Sequence, residues 1–226
     1  ITSMSNPVLL SQTQITRKYY WMPGLSPLLL ALGVTLGLVG CGDSKSKKSS
    51  SPPPAKDNSK PIIHLVSIPF DIAIQAALSG HAETVSQALA TKTDPNQVDE
   101  NGRTMLMVAA FNGHTPIVKE LINAGAKIDP QDLAGRTALM YAATGKNLDT
   151  VALLLENKAS VDLVDGDEHW TALMFAAAEG NIEVVKLLLE SRANPALVDV
   201  DGSTAESFAS DNGHTAVAEL LHGLGK

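Results

Sequence analysis

Few side chains in this 226-residue chain are of types that do chemistry, and their spacing says more than their number. The chain has one cysteine, Cys41, which excludes an intrachain disulfide and a thiolate metal cluster. Six histidines (His64, His81, His114, His169, His214 and His222) are spread along the sequence, and none lies in an H-E-x-x-H zinc pattern. Asp165-Gly166-Asp167-Glu168 has the carboxylates of a calcium loop. It lacks the later bidentate Glu at the spacing calcium needs, and reads instead as an acidic hairpin tip. No Ser or Thr sits in a nucleophile elbow, and no G-x-x-x-x-G-K-S/T phosphate loop occurs. These patterns point away from catalysis. No cofactor, no metal and no small-molecule substrate is expected.

The signal in Cys41 is its position. Residues 25–40 read LSPLLLALGVTLGLVG, an uncharged run preceded by Arg17 and Lys18. A basic segment followed by a short apolar one is the layout of a secretory signal peptide. The run closes on Leu38-Val39-Gly40-Cys41. This resembles the bacterial lipobox, in which an apolar residue, two small residues and a cysteine mark lipoprotein processing. The resemblance implies a signal peptide over 1–40, a diacylglyceryl lipid on the Cys41 thiol, and cleavage that leaves Cys41 first. Gly42, where an Asp would retain the protein at the inner membrane, implies sorting to the outer membrane. Met4 is the expected start.

An uncleaved anchor is the rival reading, with the following domain secreted, cytoplasmic or acting as an effector on host proteins. The uncharged run from Tyr19 to Gly42 is long enough on paper to span a bilayer, but its apolar heart is only about 16 residues. Pro23 and Pro27 interrupt it. Arg17 and Lys18 on its leading side oppose the cytoplasmic version. The expected location is therefore the bacterial cell envelope, lipid-anchored, on the periplasmic or outer surface. Residues 42–61, GDSKSKKSSSPPPAKDNSKP, bury nothing apolar except Ala55. Such a composition cannot repay the entropy of ordering, so 41–61 reads as a flexible, lipid-anchored linker.

The elements after the linker repeat. Thr104, Thr137, Thr171 and Thr204 recur at intervals of 33, 34 and 33. Around them stand GRTMLMVAA, GRTALMYAA, HWTALMFAAA and GSTAESFAS, and nine residues after three of them come Gly113, Gly180 and Gly213. Apolar stretches such as LDTVALLLE (148–156) and IEVVKLLLE (182–190) follow. A weaker first copy spans 71–89, with Asp71 in the Thr place and Gly80 in the Gly place. Val118, Leu121 and Ile122, Val151, Leu154 and Leu155, and Val185, Leu188 and Leu189 have the i, i+3, i+4 spacing of a buried helix face. Leu106, Leu139 and Leu173 are expected to point inward from shorter first helices. One copy cannot bury these faces, whereas stacked copies share a continuous core. The end copies carry polar residues as caps do: Gln75, Ser79 and Gln87 in the first, Glu206, Ser207 and Ser210 in the last.

This pattern resembles the ankyrin repeat, G-x-T-P/A-L-H-x-A-A, then G-H, then V-V-x-L-L-L, in five copies over nearly all of 66–226. The resemblance implies an all-α solenoid over 62–226, of about five helix-turn-helix repeats linked by short β-hairpin-like loops. His81, His114 and His214 match the structural G-H. Met107, Met140 and Met174 stand where the family has His; Met packs there but is expected not to make that residue's hydrogen bonds. Gly145 comes one residue early, leaving Lys146 in the Gly place. Lys158 and Arg192 replace a glycine that normally takes a left-handed conformation.

The resemblance also implies a function: a protein-protein interaction scaffold whose partner lies on a concave face of hairpin tips and first helices. Carried over by position, that face contains Glu100, Asn101, Arg103, Phe111, Asn112, Arg136, Thr144, Glu168, His169, Trp170, Glu179, Asp201 and Asp211. Leu133, Ala134, Asp167, Val200 and Ser203 complete the tips. Trp170 stands where other copies have Arg or Ser, in the copy with the inserted residue. Trp170 is expected either to anchor a partner, as Trp commonly does at interfaces, or to lie flat on its own solenoid, and Phe111 is expected on the same face one copy away.

Composition agrees. Hydrophobic residues are 44 % and aromatics 4 %, which favours close-packed Ala, Leu and Val helices. Residues 62–226 carry ten Lys/Arg against 22 Asp/Glu, a net −12, while residues 1–61 carry seven against two. An acidic domain argues against nucleic acid and for a protein partner with basic groups. The chain is expected to act as a monomer.

Overall fold

The structure is a computed structural model, and it describes residues 67–224. The expected signal peptide, Cys41 and the linker lie outside these residues. Among the described residues the secondary structure is ten helices with no strand. They form five consecutive pairs: α1 Phe70–Ser79 with α2 Ala82–Ala90, α3 Met105–Phe111 with α4 Thr115–Asn123, and α5 Ala138–Thr144 with α6 Leu148–Glu156. The last two pairs are α7 Ala172–Ala178 with α8 Ile182–Glu190, and α9 Ala205–Asp211 with α10 Thr215–Leu221. The fold is an all-α repeat solenoid, in which first helices stack on first helices and second on second. Among the described residues no helix is long and apolar enough to cross a membrane.

Helices of seven to ten residues are too short to hold by propensity alone, so their ends and their packing must stabilise them. Thr104, Thr137, Thr171 and Thr204 are the N-caps of α3, α5, α7 and α9, each Oγ1 accepting from the backbone N–H three residues on. The reciprocal bond departs from the sequence expectation. The sulfurs of Met107, Met140 and Met174 accept from the N–H of Thr104, Thr137 and Thr171 at 3.4, 3.5 and 3.5 Å. The thioether is a weak acceptor, but it closes the capping box. Met therefore packs and also satisfies a buried donor.

Packing follows the small residues. The pairs Ala109 and Ala110, Ala142 and Ala143, and Ala176 and Ala177 are fully buried, so neighbouring copies approach closely. Leu154 and Leu188 are 0 % exposed. Ile122, Leu155 and Leu189 are half-buried and pack against the core margin. The polar cap residues Gln75, Ser79, Gln87 and Ser210 are exposed, and Glu206 and Ser207 half-exposed.

The second helices end in left-handed residues, as the sequence implies for Lys158 and Arg192, both at φ 69°. Lys92, at φ 68°, does the same in the first copy. In each, the next N–H reaches back to the helix, for example Ala159 N–H to the Leu154 carbonyl at 3.0 Å, closing a Schellman motif. A cation there also faces the negative end of the helix dipole, which offsets part of the backbone strain. The third copy turns differently after its first helix. Gly145 is extended (φ −86°, ψ 173°), and Lys146 is not among the positive-φ residues.

Side chains stitch one copy to the next. Asn96, Asp129 and Asp162 accept from the backbone N–H of Lys127, Ser160 and Asn194 at 2.8, 3.0 and 2.9 Å. His114 Nε2 and His214 Nε2 lie 3.1 and 3.0 Å from the carbonyls of Leu78 and Ala178 in the preceding copies. Asn147 and Asn181 do the same work, donating to Phe111 O at 2.8 Å and Ala143 O at 3.0 Å. These histidines are structural braces at copy boundaries.

Candidate protein-binding face

One aspartate builds each hairpin tip. Asp99, Asp132, Asp165 and Asp199 each accept two backbone N–H bonds on Oδ1: from Asn101 and Arg103, Ala134 and Arg136, Glu168 and Trp170, and Asp201 and Ser203. Their own N–H groups close the loops onto the carbonyls of Arg103, Arg136, Trp170 and Ser203 at 3.0 Å. Asp165 is thus committed to its own backbone. Among the described residues no group of three or more His, Cys, Asp or Glu is placed to hold a metal.

The tips are joined into a row. Leu133 N–H donates to Asn101 O at 3.0 Å, Gly166 N–H to Ala134 O at 2.8 Å, and Val200 N–H to Glu168 O at 3.1 Å. This contact demands glycine at Gly135: at φ 74°, a Cβ there would lie 2.2 Å from Gly166 N. The fourth copy has an inserted residue in its tip, and His169 occupies the corresponding left-handed place at φ 59°.

The side chains beside this row form a staggered series. The residue before the capping Thr in one copy meets the residue four after the Thr in the next. The Arg136 guanidinium sits 5.6 Å over the Phe175 ring, and Trp170 lies 4.2 Å from Phe208 with their planes at 51°. Trp170 also packs at 5.1 Å on Phe175 of its own copy. Phe111 meets Tyr141 edge-on at 6.1 Å. Phe111 belongs to the second copy and Trp170 to the fourth, so they lie two copies apart rather than one, with the third between them. Phe111 and Trp170 therefore each have an aromatic partner of their own.

Charges are clamped into the same surface. Arg103 binds the Asp99 carboxylate through Nη2 at 2.8 Å and Nε at 2.9 Å. Burial pushes the Asp99 carboxyl up, but the bonds from Arg103 and the backbone amides outweigh it and hold it below its ordinary value. Arg136 Nε lies 3.7 Å from Asp165 Oδ2. Tyr141 donates to Asp132 Oδ2 at 2.6 Å. Burial first, then that carboxylate, raises the Tyr141 hydroxyl well above its ordinary value.

Of the expected face residues, Glu100, Asn112, His169, Asp201 and Asp211 are exposed. Asn101, Arg103, Phe111, Arg136, Thr144, Glu168, Trp170 and Glu179 are half-buried. Asn112 is also engaged, donating to Leu78 O at 2.8 Å, and Thr144 donates to Met140 O at 2.9 Å. Beside them Leu133 stands 80 % exposed at its tip and Val200 52 %. Sequence reasoning missed Tyr141, Phe175 and Phe208 and, of the four tip aspartates, Asp99, Asp132 and Asp199. Both sets had a signal: the aromatics lie four residues after successive threonines, and the aspartates recur at 33, 33 and 34.

A family model described as ankyrin repeats (3 copies) matches residues 73–165 and again 161–225. The chain belongs to the ankyrin-repeat family. Together the two matches cover the solenoid from its first helix to its last. No curated protein matches the chain. Ankyrin repeats are protein-interaction scaffolds that work through exposed surface rather than through a reaction centre. In this ankyrin domain the tip row exposes Glu100, Leu133, His169, Val200 and Asp201.

Proposed function

We propose that this protein is an exported, lipid-anchored ankyrin scaffold that holds a protein partner bearing basic groups close to a bacterial cell envelope. The observation that carries the binding half is the continuous tip face. Rigid aromatic and cationic side chains, Arg136 on Phe175 and Trp170 on Phe208, form its floor, and the carboxylates of Glu100, Asp201 and Asp211 are exposed around it. Ordered aromatics bind at low entropic cost, and carboxylates favour a cationic partner and speed its approach. The domain's net −12 supports the same sign of partner.

The tether rests on sequence. Cys41 is the single thiol and follows the apolar run that ends at Gly40. A diacylglyceryl group there would hold the solenoid at a membrane through a linker rich in Ser, Lys and Pro. Labelling cells with a fatty-acid analogue tests it. The parent chain should label and pellet with membranes, and Cys41→Ser should do neither. Persistent labelling and pelleting of Cys41→Ser would refute the lipoprotein half, and pelleting of both chains with neither labelled would favour the uncleaved anchor.

A further inference from the structure

Met107, Met140 and Met174 occupy the same place in three successive copies, each 1 % exposed. Each sulfur touches the N–H of its capping threonine at 3.4 to 3.5 Å. The two end copies have no sulfur there: Ile74 and Ser207 take the corresponding places. We propose that this column is an oxidation-sensitive lock, through which a peroxide disables the solenoid copy by copy from its ends inward.

The chemistry needs only a two-electron oxygen donor such as hydrogen peroxide. The thioether lone pair attacks one peroxide oxygen, the O–O bond breaks, and a sulfoxide S–O bond forms. The sulfur is oxidised by two electrons, and the other oxygen leaves as water after proton transfer. In the closed solenoid the sulfurs are out of reach. When a copy opens, its sulfur reacts, and the copy cannot close again. Sulfur and amide nitrogen are already in contact, so an oxygen between them has no room. On any other side it enters a core of fully buried Ala, Leu and Met side chains, where a polar group without partners is costly. Met oxidation is reversible only by a dedicated reductase, so the opened state persists.

The order of reaction follows from the architecture. A solenoid has nearest-neighbour contacts only and opens most readily at its ends. The first copy covers Met107 and the last covers Met174, and both end copies expose polar residues. Met140 is flanked on each side by one inner copy and one end copy.

The test treats the full chain with hydrogen peroxide, native and in urea, and follows each methionine by peptide-resolved mass spectrometry. In the native protein all three should react more than about tenfold slower than in urea, with Met140 slowest. Chain oxidised in urea and then dialysed should recover less helicity and a lower urea midpoint. A variant with Met107, Met140 and Met174 all changed to Leu keeps core volume, and should regain its own midpoint after the same treatment. Native rates equal to those in urea, Met140 reacting first, or full recovery of the oxidised parent would each overturn the lock. So would equal loss in the Leu variant, where fully buried Met105 remains as the internal control. If the Leu variant fails to fold, the reaction order and the recovery of the parent decide the question.

Discussion

The indole of Trp170 rests 4.2 Å from the ring of Phe208 in the following copy, so a side chain at a hairpin tip fastens the last copy to the one before it. From sequence Trp170 reads either as a partner anchor or as a ring lying flat on its own solenoid. Its second contact, with Phe175 at 5.1 Å, makes it a bracket across the boundary of the fourth and fifth copies. Trp170→Ala should lower stability by about 2 kcal/mol, since each aromatic pair contributes about 0.5–1.5 kcal/mol beyond area burial. Urea unfolding measures this, with partner affinity measured on the folded fraction. A midpoint that does not move, together with lost affinity, would make Trp170 an interface anchor with no bracing role.

Leu154 and Leu188 are fully buried on the second helices of adjacent copies. Either one changed to Ala should cost roughly 2–5 kcal/mol, because the rigid Ala-rich surroundings collapse poorly into the gap. The denaturant midpoint should fall with the slope nearly constant. A midpoint unchanged within error would contradict the stacking described for α6 and α8.

Among the described residues, four other than glycine hold left-handed backbone: Lys92, Lys158, His169 and Arg192. His169→Gly should stabilise the fold by somewhat less than about 1 kcal/mol, strain relief being reduced by the greater freedom of glycine in the unfolded chain. For Lys158→Gly the gain should be smaller still, because a cation is lost from a helix C-terminus. Thermal melts of both variants give the comparison. Destabilisation by His169→Gly would mean the histidine ring makes contacts worth more than the strain.

The Asp99 carboxyl is held below its ordinary value in the fold, so the folded state favours the ionised form. The sign is fixed by that direction. Stability from Asp99 is present above the unfolded carboxyl value near 4, and is lost as pH falls through the lower folded value. The parent should exceed Asp99→Asn in urea midpoint at pH 6, and the gap should narrow below about pH 4. Tyr141 works at the other end. Its raised value means a contribution intact below about pH 10 and lost as pH rises beyond it. A parent-to-Asn gap that is the same at pH 6 and pH 3 would refute the assignment to Asp99.

Much of the fold was legible because its constraints repeat. The Thr spacing marks where the first helix of each inner copy begins, and the paired alanines mark the close copy contacts. Lys158 and Arg192 announced left-handed ends by standing where glycine belongs. The sulfur bonds were not legible, since Met is read as apolar and its acceptor role appears only once the cap fixes its distance from the N–H. The site was read by position but not by partner. A one-dimensional offset places Arg136 and Trp170 on the face, but that each reaches into the next copy depends on how one tip leans over its neighbour. The inserted residue in the fourth tip made that lean harder to foresee, because His169 had to take over a glycine conformation.

The claim that a protein partner sits on the tip row is tested most directly by photo-crosslinking in cells. A photoreactive residue is placed in the full chain at Leu133 or Asp201, both exposed tips, and for comparison at Glu183 or Gln87, exposed on the second helices. Crosslinks to one discrete protein should form from Leu133 and Asp201, weaken at raised salt, and be absent from Glu183 and Gln87. Crosslinks only from Glu183 and Gln87 would place the partner on the second helices and contradict the proposed binding face.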